Sequence, residues 1–433
     1  MNATIDQLQD AVRRVRDTHQ YVLENRRTEA VIKALADAAQ SWLPASSPWR
    51  AQAVEQAPAV TGFSPAMVNE AIDRMFGAIT ADSLGALLDR ELGDRRVLDE
   101  FRPHGRAQAR AFGAPVIVHL LAGNVPPPGI HSIVNGLLVR SGNVVRMSQN
   151  DTVFPKLFVE SVRAADPDLA MCVELLEWPR NDAALTQAAL AKADAVIAHG
   201  DDSTIAALRR LATSQATFTG YGQKVSFAYV CREAMTPEQL PALAAAAAED
   251  VSIYDQQGCL SPHVIYVEER GALGPRKFGA ALAEAMAAFQ ARIPRGKLSM
   301  EEAAAINTTR SGYEFRSASD RRIAVWSSLQ SNDWSVIYED DPSFVPSCLN
   351  RVVFIKPTDG ERRVLENIQR HATRISTVGI APMSERMTEF AKQLAGLGIH
   401  RVCPIGQMQR PPLWWFHDGK PNLASLVRWT ELG

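Results

Sequence analysis

Apolar residues recur at helical spacing through Leu8, Val12 and Val15 and again through Val31, Ile32 and Leu35, which predicts a helical region over residues 1 to about 95. Ser64 followed by Pro65 places a cap residue ahead of a proline that suits the first helical turn, before AMVNEAIDRMF, and a further helix is predicted over Ser83–Leu92. The texture changes near Ala114. Strands are predicted at Pro115–Leu121, Asn143–Met147, Cys172–Trp178, Asp194–His199 and Val225–Cys231, with helices at His131–Arg140, Phe154–Ala164, Asp182–Ala191 and Ser203–Leu211 between them. Strand alternating with helix is the pattern of a parallel sheet covered on both faces. A second series follows: a helix over Pro237–Glu249 with Thr236 as its cap, the strand His263–Glu268 and a long helix over Gly271–Arg292. Strands are then predicted at Arg322–Ser327, Trp334–Tyr338, Arg351–Ile355, Ser376–Ile380 and Arg401–Ile405, and helices at Gly360–His371 and Ser384–Leu397.

The fold expected is therefore α/β, with two doubly wound parallel-sheet domains and a helical N-terminal region. The division expected is residues 1–232 for the helical region plus a nucleotide-binding domain, 233–405 for a second α/β domain, and 406–433 for a tail. The tail carries Trp414, Trp415, Phe416 and Trp429. Aromatics that dense pack on the chain's own body or on a partner subunit, so a homo-oligomer is expected.

With 433 residues the chain is long enough for two or three domains of about 150 residues. Lys plus Arg number 46 and Asp plus Glu 48, a net charge of −2, so no global basic field favours nucleic acid. The start, MNATIDQLQDAVRRVRD, has no apolar core of the signal-peptide kind, and no apolar run reaches the ~20 residues of a membrane span. The five cysteines, Cys172, Cys231, Cys259, Cys348 and Cys403, form no C-x-x-C pair. A soluble, cytoplasmic protein with no structural disulfide and no metal site is expected.

Neither a P-loop nor a G-x-G-x-x-G fingerprint occurs. Three segments carry candidate chemistry. Cys259 sits in the polar run Tyr254-Asp255-Gln256-Gln257-Gly258-Cys259-Leu260-Ser261-Pro262, where it is either a nucleophile beside a glycine that lets substrate approach or a small core residue. Asn124, in Leu121-Ala122-Gly123-Asn124-Val125-Pro126-Pro127-Pro128-Gly129 directly after a strand, is either an amide donor to an oxyanion or a turn former. In His199-Gly200-Asp201-Asp202-Ser203-Thr204, a tight turn enters a helix whose free N–H groups suit a pyrophosphate, or else the two aspartates are only caps.

In order and spacing these segments resemble the aldehyde dehydrogenase superfamily. AGNVPPPG looks like its Pro-x-Asn-x-Pro loop, Ser141–Gln149 (SGNVVRMSQ) like its ribose-binding strand, Gly220-Tyr221-Gly222-Gln223-Lys224 like its Glu-Leu-Gly-Gly-Lys segment, and Gln257-Gly258-Cys259 like its Gly-Gln-Cys motif. The chain is more closely similar to the LuxC-type acyl-CoA reductases. It shares with them an Asp-Gln-x-x-Cys-x-Ser-Pro block at Asp255–Pro262 and the tail block Cys403-Pro404-Ile405-Gly406-Gln407-Met408-Gln409-Arg410-Pro411-Pro412, with His417-Asp418-Gly419 and Asn422-Leu423.

The resemblance implies Cys259 as nucleophile, the Asn124 side chain and the Cys259 backbone N–H as oxyanion donors, and Arg146, Ser148, Gln149, Gly200, Ser203, Gly220 and Gly222 along the nicotinamide cofactor. Two departures refine it. Oxidising members use a Glu as general base, and here Gly220 stands in its place. Without that base a reductase is implied, taking acyl-CoA or another acyl thioester, or acyl groups from an acyl-transferring partner protein, and releasing a fatty or other aliphatic aldehyde. Gln149 stands where a ribose-binding Glu is usual, and with Arg146 nearby this tilts the cofactor to NADPH. Two rival readings are an oxidising aldehyde dehydrogenase and a cysteine acyltransferase or thioesterase using His263 as base.

Overall fold

The N-terminal amphipathic pattern folds into the helices Ile5–Thr18, Thr28–Gln40, Pro48–Thr61, Pro65–Gly77 and Ala81–Leu92 in the computed structural model, which describes residues 2–433. Thr4 and Gln7 form a capping box at the first, and the Ser64 hydroxyl accepts the Met67 N–H at 3.2 Å as the Ser64-Pro65 signal predicts. Trp42 anchors this region. Its ring is fully buried and stacks 4.3 Å from Phe76, and its indole N–H reaches Ser161 Oγ at 3.0 Å. The buried polar end is thus satisfied while the ring supplies apolar area.

The chain divides into two units. Among the described residues the first comprises 2–61, 68–223 and 412–433; the second comprises 62–67 and 224–411. In the first, strands β1 (Arg102–His104) and β2 (Ala107–Gly113) form a hairpin. Then β3 (Val116–Leu120), β4 (Gly142–Arg146), β5 (Val173–Leu176), β6 (Ala195–His199) and β7 (Thr217–Tyr221) form an all-parallel sheet in the order β5-β4-β3-β6-β7. The strand order reverses between β3 and β6, so the loops leaving these two strands diverge and open a crevice at their C-terminal ends, where such sheets bind ligands. Those loops carry Asn124 and Gly200–Ser203 respectively.

In the second unit β8 (Val225–Val230), β9 (Pro262–Glu268), β10 (Ile323–Ser327), β11 (Ser335–Glu339), β12 (Val352–Thr358), β13 (Ile375–Ala381) and β14 (Arg401–Pro404) pair in the order β10-β11-β12-β9-β8-β13-β14. Only the β10–β11 pair is antiparallel. Both faces are apolar because both are covered. Phe227 and Tyr229 join one core with Phe390 and Leu394 of helix Glu385–Gly396, while Ala228 and Val230 join another with Phe278 and Leu282 of helix Pro275–Arg292. The final strand, β15 (Val427–Leu432), returns to the first unit and pairs antiparallel with β2.

Three boundaries differ from the sequence expectation. Val225–Val230 had been grouped with residues 1–232, yet β8 is hydrogen-bonded to β9 and β13, which places it in the second unit. Residues 62–67 also join that unit: Phe63 packs 6.2 Å from Tyr254, and Met67 Sδ accepts the Tyr254 N–H. The tail joins the first unit from Pro412 rather than from residue 406. The Glu91 carboxylate gathers the N–H groups of Asn422, Leu423 and Ala424, and Arg90 lies 5.1 Å above the Phe416 ring. The aromatic tail therefore packs on the chain's own body, one of the two outcomes expected. Helix Met300–Ser317, β1, β2, β7 and β15 were not anticipated. No helix among the described residues is long and apolar enough to cross a membrane.

Candidate active site

In the second unit Cys259 lies in the turn between helix Leu240–Ser252 and β9, at the N-terminal edge of the sheet. It is half-buried, whereas Cys172, Cys231 and Cys403 are buried and burial pushes their thiols up to about 12. Cys348 is half-buried as well, and burial raises its thiol too. The turn is pinned at several points. Ser226 Oγ donates to the Cys259 carbonyl at 2.7 Å and accepts the Thr377 N–H at 3.1 Å, tying the turn to β8 and β13. Gln256, fully buried, donates to the carbonyls of Pro262 and Val352 and accepts the Val352 N–H, each at 2.9 Å.

The tail block and the cysteine block meet here. Asp250 accepts the N–H groups of Gly406 and Met408 at 2.5 and 3.1 Å, and the Gln409 amide donates to Ser261 Oγ at 2.8 Å and to the Asp250 carbonyl at 3.0 Å. Arg401, at the start of β14, donates to the carbonyls of Met408 and Gln407 at 2.7 and 2.6 Å. Burial lowers its pKa, opposed by the charges of Cys403, Asp250 and, least of the three, Cys259. Sequence reasoning quoted the tail block and gave Arg401 no role; a cation this far along the chain cannot be paired with Cys259 from spacing.

A nearby cation favours thiolate over thiol. Arg401→Ala is expected to shift the pH profile of Cys259 alkylation upward, slowing it near neutral pH, while Arg401→Lys restores most of the rate. Alkylation by iodoacetamide, followed peptide by peptide in a mass spectrometer, reads this directly.

His263 does not look like a base. Its Nδ1 accepts the Ser347 N–H at 3.1 Å, and burial lowers its pKa to about 4.

In the first unit the residues expected along a cofactor fall into three groups. Gly123 in the Asn124 loop packs on the loop after β4: a Cβ there would meet Ser148 Oγ at 2.2 Å, which brings Ser148 beside that loop. Asn124 and Gln149 are exposed. The second group surrounds helix Asp202–Leu211. Gly200 N–H donates to the Tyr221 carbonyl, a Cβ on Gly222 would meet Asp202 Oδ1 at 2.4 Å, and one on Gly220 would meet Ile205 Cγ2 at 2.6 Å. Asp201 caps this helix, accepting the Thr204 N–H at 2.7 Å and the Ser203 hydroxyl at 2.5 Å, so Ser203 is engaged within the turn. The third group is Arg146 and Arg180. Arg146 Nε donates to the Trp178 carbonyl at 3.3 Å, and burial followed by the charge of Arg180 lowers its pKa. Arg180, which the sequence reading passed over, holds Asp201 and Thr204.

Asn143 of the Gly-Asn-x-Val match is structural: its Oδ1 accepts the His119 Nε2–H at 2.9 Å, fully buried, while His119 Nδ1 accepts from Ser132 at 2.7 Å.

The Tyr221 ring contacts two imidazoles, His417 at 4.1 Å and His199 at 4.9 Å, which lie 6.1 Å from each other. Burial raises the phenol and holds both imidazoles down near about 3, so all three are neutral.

Asp151, just beyond the ribose-strand match, is buried, and its Oδ1 has no hydrogen-bond partner among the described residues. Burial pushes its carboxyl up to about 7 against the Phe154 N–H, which lowers it. A carboxyl raised above its unfolded value of about 3.9 keeps a proton in the native state that the unfolded chain loses, so stability falls as pH rises from about 4 to 7 and is flat above. Asp151→Asn should remove that fall, raising stability at pH 8 by roughly 2–4 kcal/mol relative to the native chain. Denaturant melts at pH 5 and pH 8 test it.

Residues 23–429 match the family described as "Acyl-CoA reductase (LuxC)". The long-chain acyl-protein thioester reductase of Vibrio harveyi is 27% identical over 421 residues, covering 95% of this chain and 84% of that protein. That of Aliivibrio fischeri is 26% identical, covering 94% and 82%. Among solved structures, an oxidoreductase from Marinobacter aquaeolei superimposes with a TM-score of 0.75 at 14% identity, covering all of this chain and 91% of its own. An NADP complex of the NADP-dependent glyceraldehyde-3-phosphate dehydrogenase from Bacillus halodurans gives 0.73 at 13%, covering all of this chain and 92% of its own. The fold is that of the aldehyde dehydrogenases, and the chain, matched over residues 23–429, belongs to the LuxC acyl-CoA reductase family.

Proposed function

We propose that the chain is an NADPH-dependent reductase of acyl thioesters that releases an aliphatic aldehyde by way of an S-acyl cysteine. The observation that carries this reading is at Gly220. An oxidising enzyme needs a carboxylate there to activate water, and here a side chain would run into Ile205 Cγ2, while Tyr221 beside it is locked in a stack of neutral rings. Hydrolysis of an acyl-enzyme thus lacks its base, and reduction needs none.

The Cys259 thiolate adds to the acyl carbonyl and expels the donor thiolate, leaving a thioester on the enzyme. NADPH, held along Arg146, Ser148 and Gln149, would supply a hydride, and Cys259 would hold the acyl group as it is reduced to the thiohemiacetal anion. Its C–S bond then breaks, aldehyde leaves and the Cys259 thiolate is restored. Asn124 is assigned by the family resemblance to the carbonyl oxygen as it gains charge. Arg146 and Arg180, two cations within each other's field at one end of the parallel sheet, suit a phosphate of the cofactor, in keeping with NADPH.

The acyl donor is an acyl-CoA or an acyl group on the thiol of a partner protein; the names of the Vibrio and Aliivibrio relatives favour the second. The purified chain with NADPH should consume nicotinamide absorbance in the presence of a long-chain acyl-CoA or acyl-protein thioester, with aldehyde formed in equal amount. Release of free acid without nicotinamide would instead establish a thioesterase.

A further inference from the structure

The second unit contains two runs of three consecutive non-glycine residues with left-handed backbone: Tyr254, Asp255 and Gln256 at φ 53°, 50° and 65°, and Leu349, Asn350 and Arg351 at φ 63°, 60° and 60°. L-residues enter this region singly, at turns. A run of three is unfavourable because each Cβ crowds the following carbonyl oxygen. Such a conformation persists only where surrounding contacts over-determine it.

The contacts that do so join the two runs to each other. Asp255 Oδ1 lies 2.7 Å from Arg351 Nη2, and Asp255 Oδ2 accepts the Gly296 N–H at 3.0 Å. Gln256 pairs with both backbone polar groups of Val352, as a strand would. Gln257 Nε2 donates to Asn350 Oδ1 at 3.1 Å, and Arg295 Nη2 donates to the same oxygen at 2.6 Å. Arg351 is fixed in turn, donating to Gln290 Oε1 at 2.6 Å and to the Ile293 carbonyl at 3.1 Å. Asp255, Gln256, Asn350 and Arg351 are all at most 5% exposed. Asp255 and Gln256 of one run, and Gln257 just after it, are thus each met by a residue of the other run or by its immediate neighbour, and the braced segment ends two residues before Cys259. Apolar burial alone would hold the sheet and its helices; it does not call for two strained turns facing each other.

We propose that the Asn350-Arg351 turn is the positioning element of the nucleophile: by locking Asp255, Gln256 and Gln257 it aims the Cys259 sulfur at the acyl carbon. This rests on Cys259 being the nucleophile. The brace touches backbone and side chains upstream of the sulfur, so it governs direction rather than the ionisation of the thiol. A misaimed nucleophile loses rate in the acyl-transfer step, because the reacting atoms are no longer held in line at near contact. Asn350 and Arg351 are positioning residues, not catalytic ones.

The test uses Asn350→Gly and Arg351→Lys in the full chain. Glycine adopts φ near 60° without steric cost, so Asn350→Gly keeps the turn and removes the oxygen shared by Gln257 and Arg295, along with the long 3.5 Å amide bond to Glu302 Oε1. Arg351→Lys keeps the charge and loses the planar fork. Three quantities are read: the single-turnover rate of acylation by a long-chain acyl-CoA, the concentration dependence of that rate, and the rate of Cys259 alkylation by iodoacetamide across pH. The expected result is acylation slowed on the order of tenfold in each variant, with unchanged half-saturation and an unchanged alkylation profile, since a small reagent needs a thiolate but not its aim. Acylation and alkylation falling together would overturn the proposal, and so would a lowered melting midpoint with acylation unchanged. Should Arg351→Lys fail to fold, Asn350→Gly carries the test alone. Failure of the nucleophile reading shows separately, as an acyl group found on a different cysteine of the unsubstituted chain.

Discussion

Cys259→Ala is expected to abolish acyl-enzyme formation and aldehyde release together, leaving nicotinamide binding intact. The sulfur is the group that bonds to substrate in the proposed reaction, and an alanine offers nothing to accept the acyl group. The four other cysteines make poor substitutes. Three are buried with thiols raised to about 12, and Cys348 is raised by burial as well. Cys259 itself is half-buried, on a turn pinned from β8. Intact-protein mass spectrometry after mixing with acyl thioester should show one acyl adduct on the native chain and none on the variant. Cofactor binding, followed by quenching of intrinsic fluorescence, should be unchanged. An adduct on Cys259→Ala would move the nucleophile elsewhere and remove the basis for the positioning role of Asn350 and Arg351.

Arg146→Ala is expected to weaken NADPH much more than NADH. Only the 2′-phosphate offers the guanidinium a charged partner, and a lost charge-assisted hydrogen bond of ~1.5–3 kcal/mol corresponds to roughly ten- to a hundredfold in affinity. Arg146 is half-buried with its Nε on the Trp178 carbonyl, so its remaining donors are held in a narrow range of directions. Gln149→Glu should shift preference toward NADH by repelling the phosphate and offering the ribose an acceptor. Gln149 is exposed, so Gln149→Glu should melt as the native chain does. Titration of each variant with both nucleotides gives the ratio. An unchanged NADPH/NADH ratio would withdraw the ribose-strand correspondence and leave the phosphate to Arg180 or to the turn capped by Asp201.

Local pattern alone was enough for much of this protein. The strands from Val116 to His199 and from Pro262 to Pro404 were legible because a parallel sheet covered on both faces leaves short apolar runs between amphipathic helices, a signal contained in a few adjacent residues. Cys259 was legible for a similar reason: a thiol among polar neighbours and a glycine differs from one inside an apolar run. β7 and β15 escaped notice, since β7 is half-polar and β15 is exposed at almost every position, and each exists through pairing with strands distant in sequence. Val225–Val230 was recognised as a strand, but its sheet was not, because pairing partners are chosen by tertiary packing rather than by the strand's own residues. The same holds around the cysteine. Arg401 lies 142 residues after Cys259 and Arg351 lies 96 residues after Asp255, and nothing in their local sequence marks them. What joins them is the order β12-β9-β8-β13-β14, which brings the starts of five strands to one edge of the sheet. The Asp255–Arg351 pair, 2.7 Å apart, exists only because the folded sheet converts that sequence separation into contact.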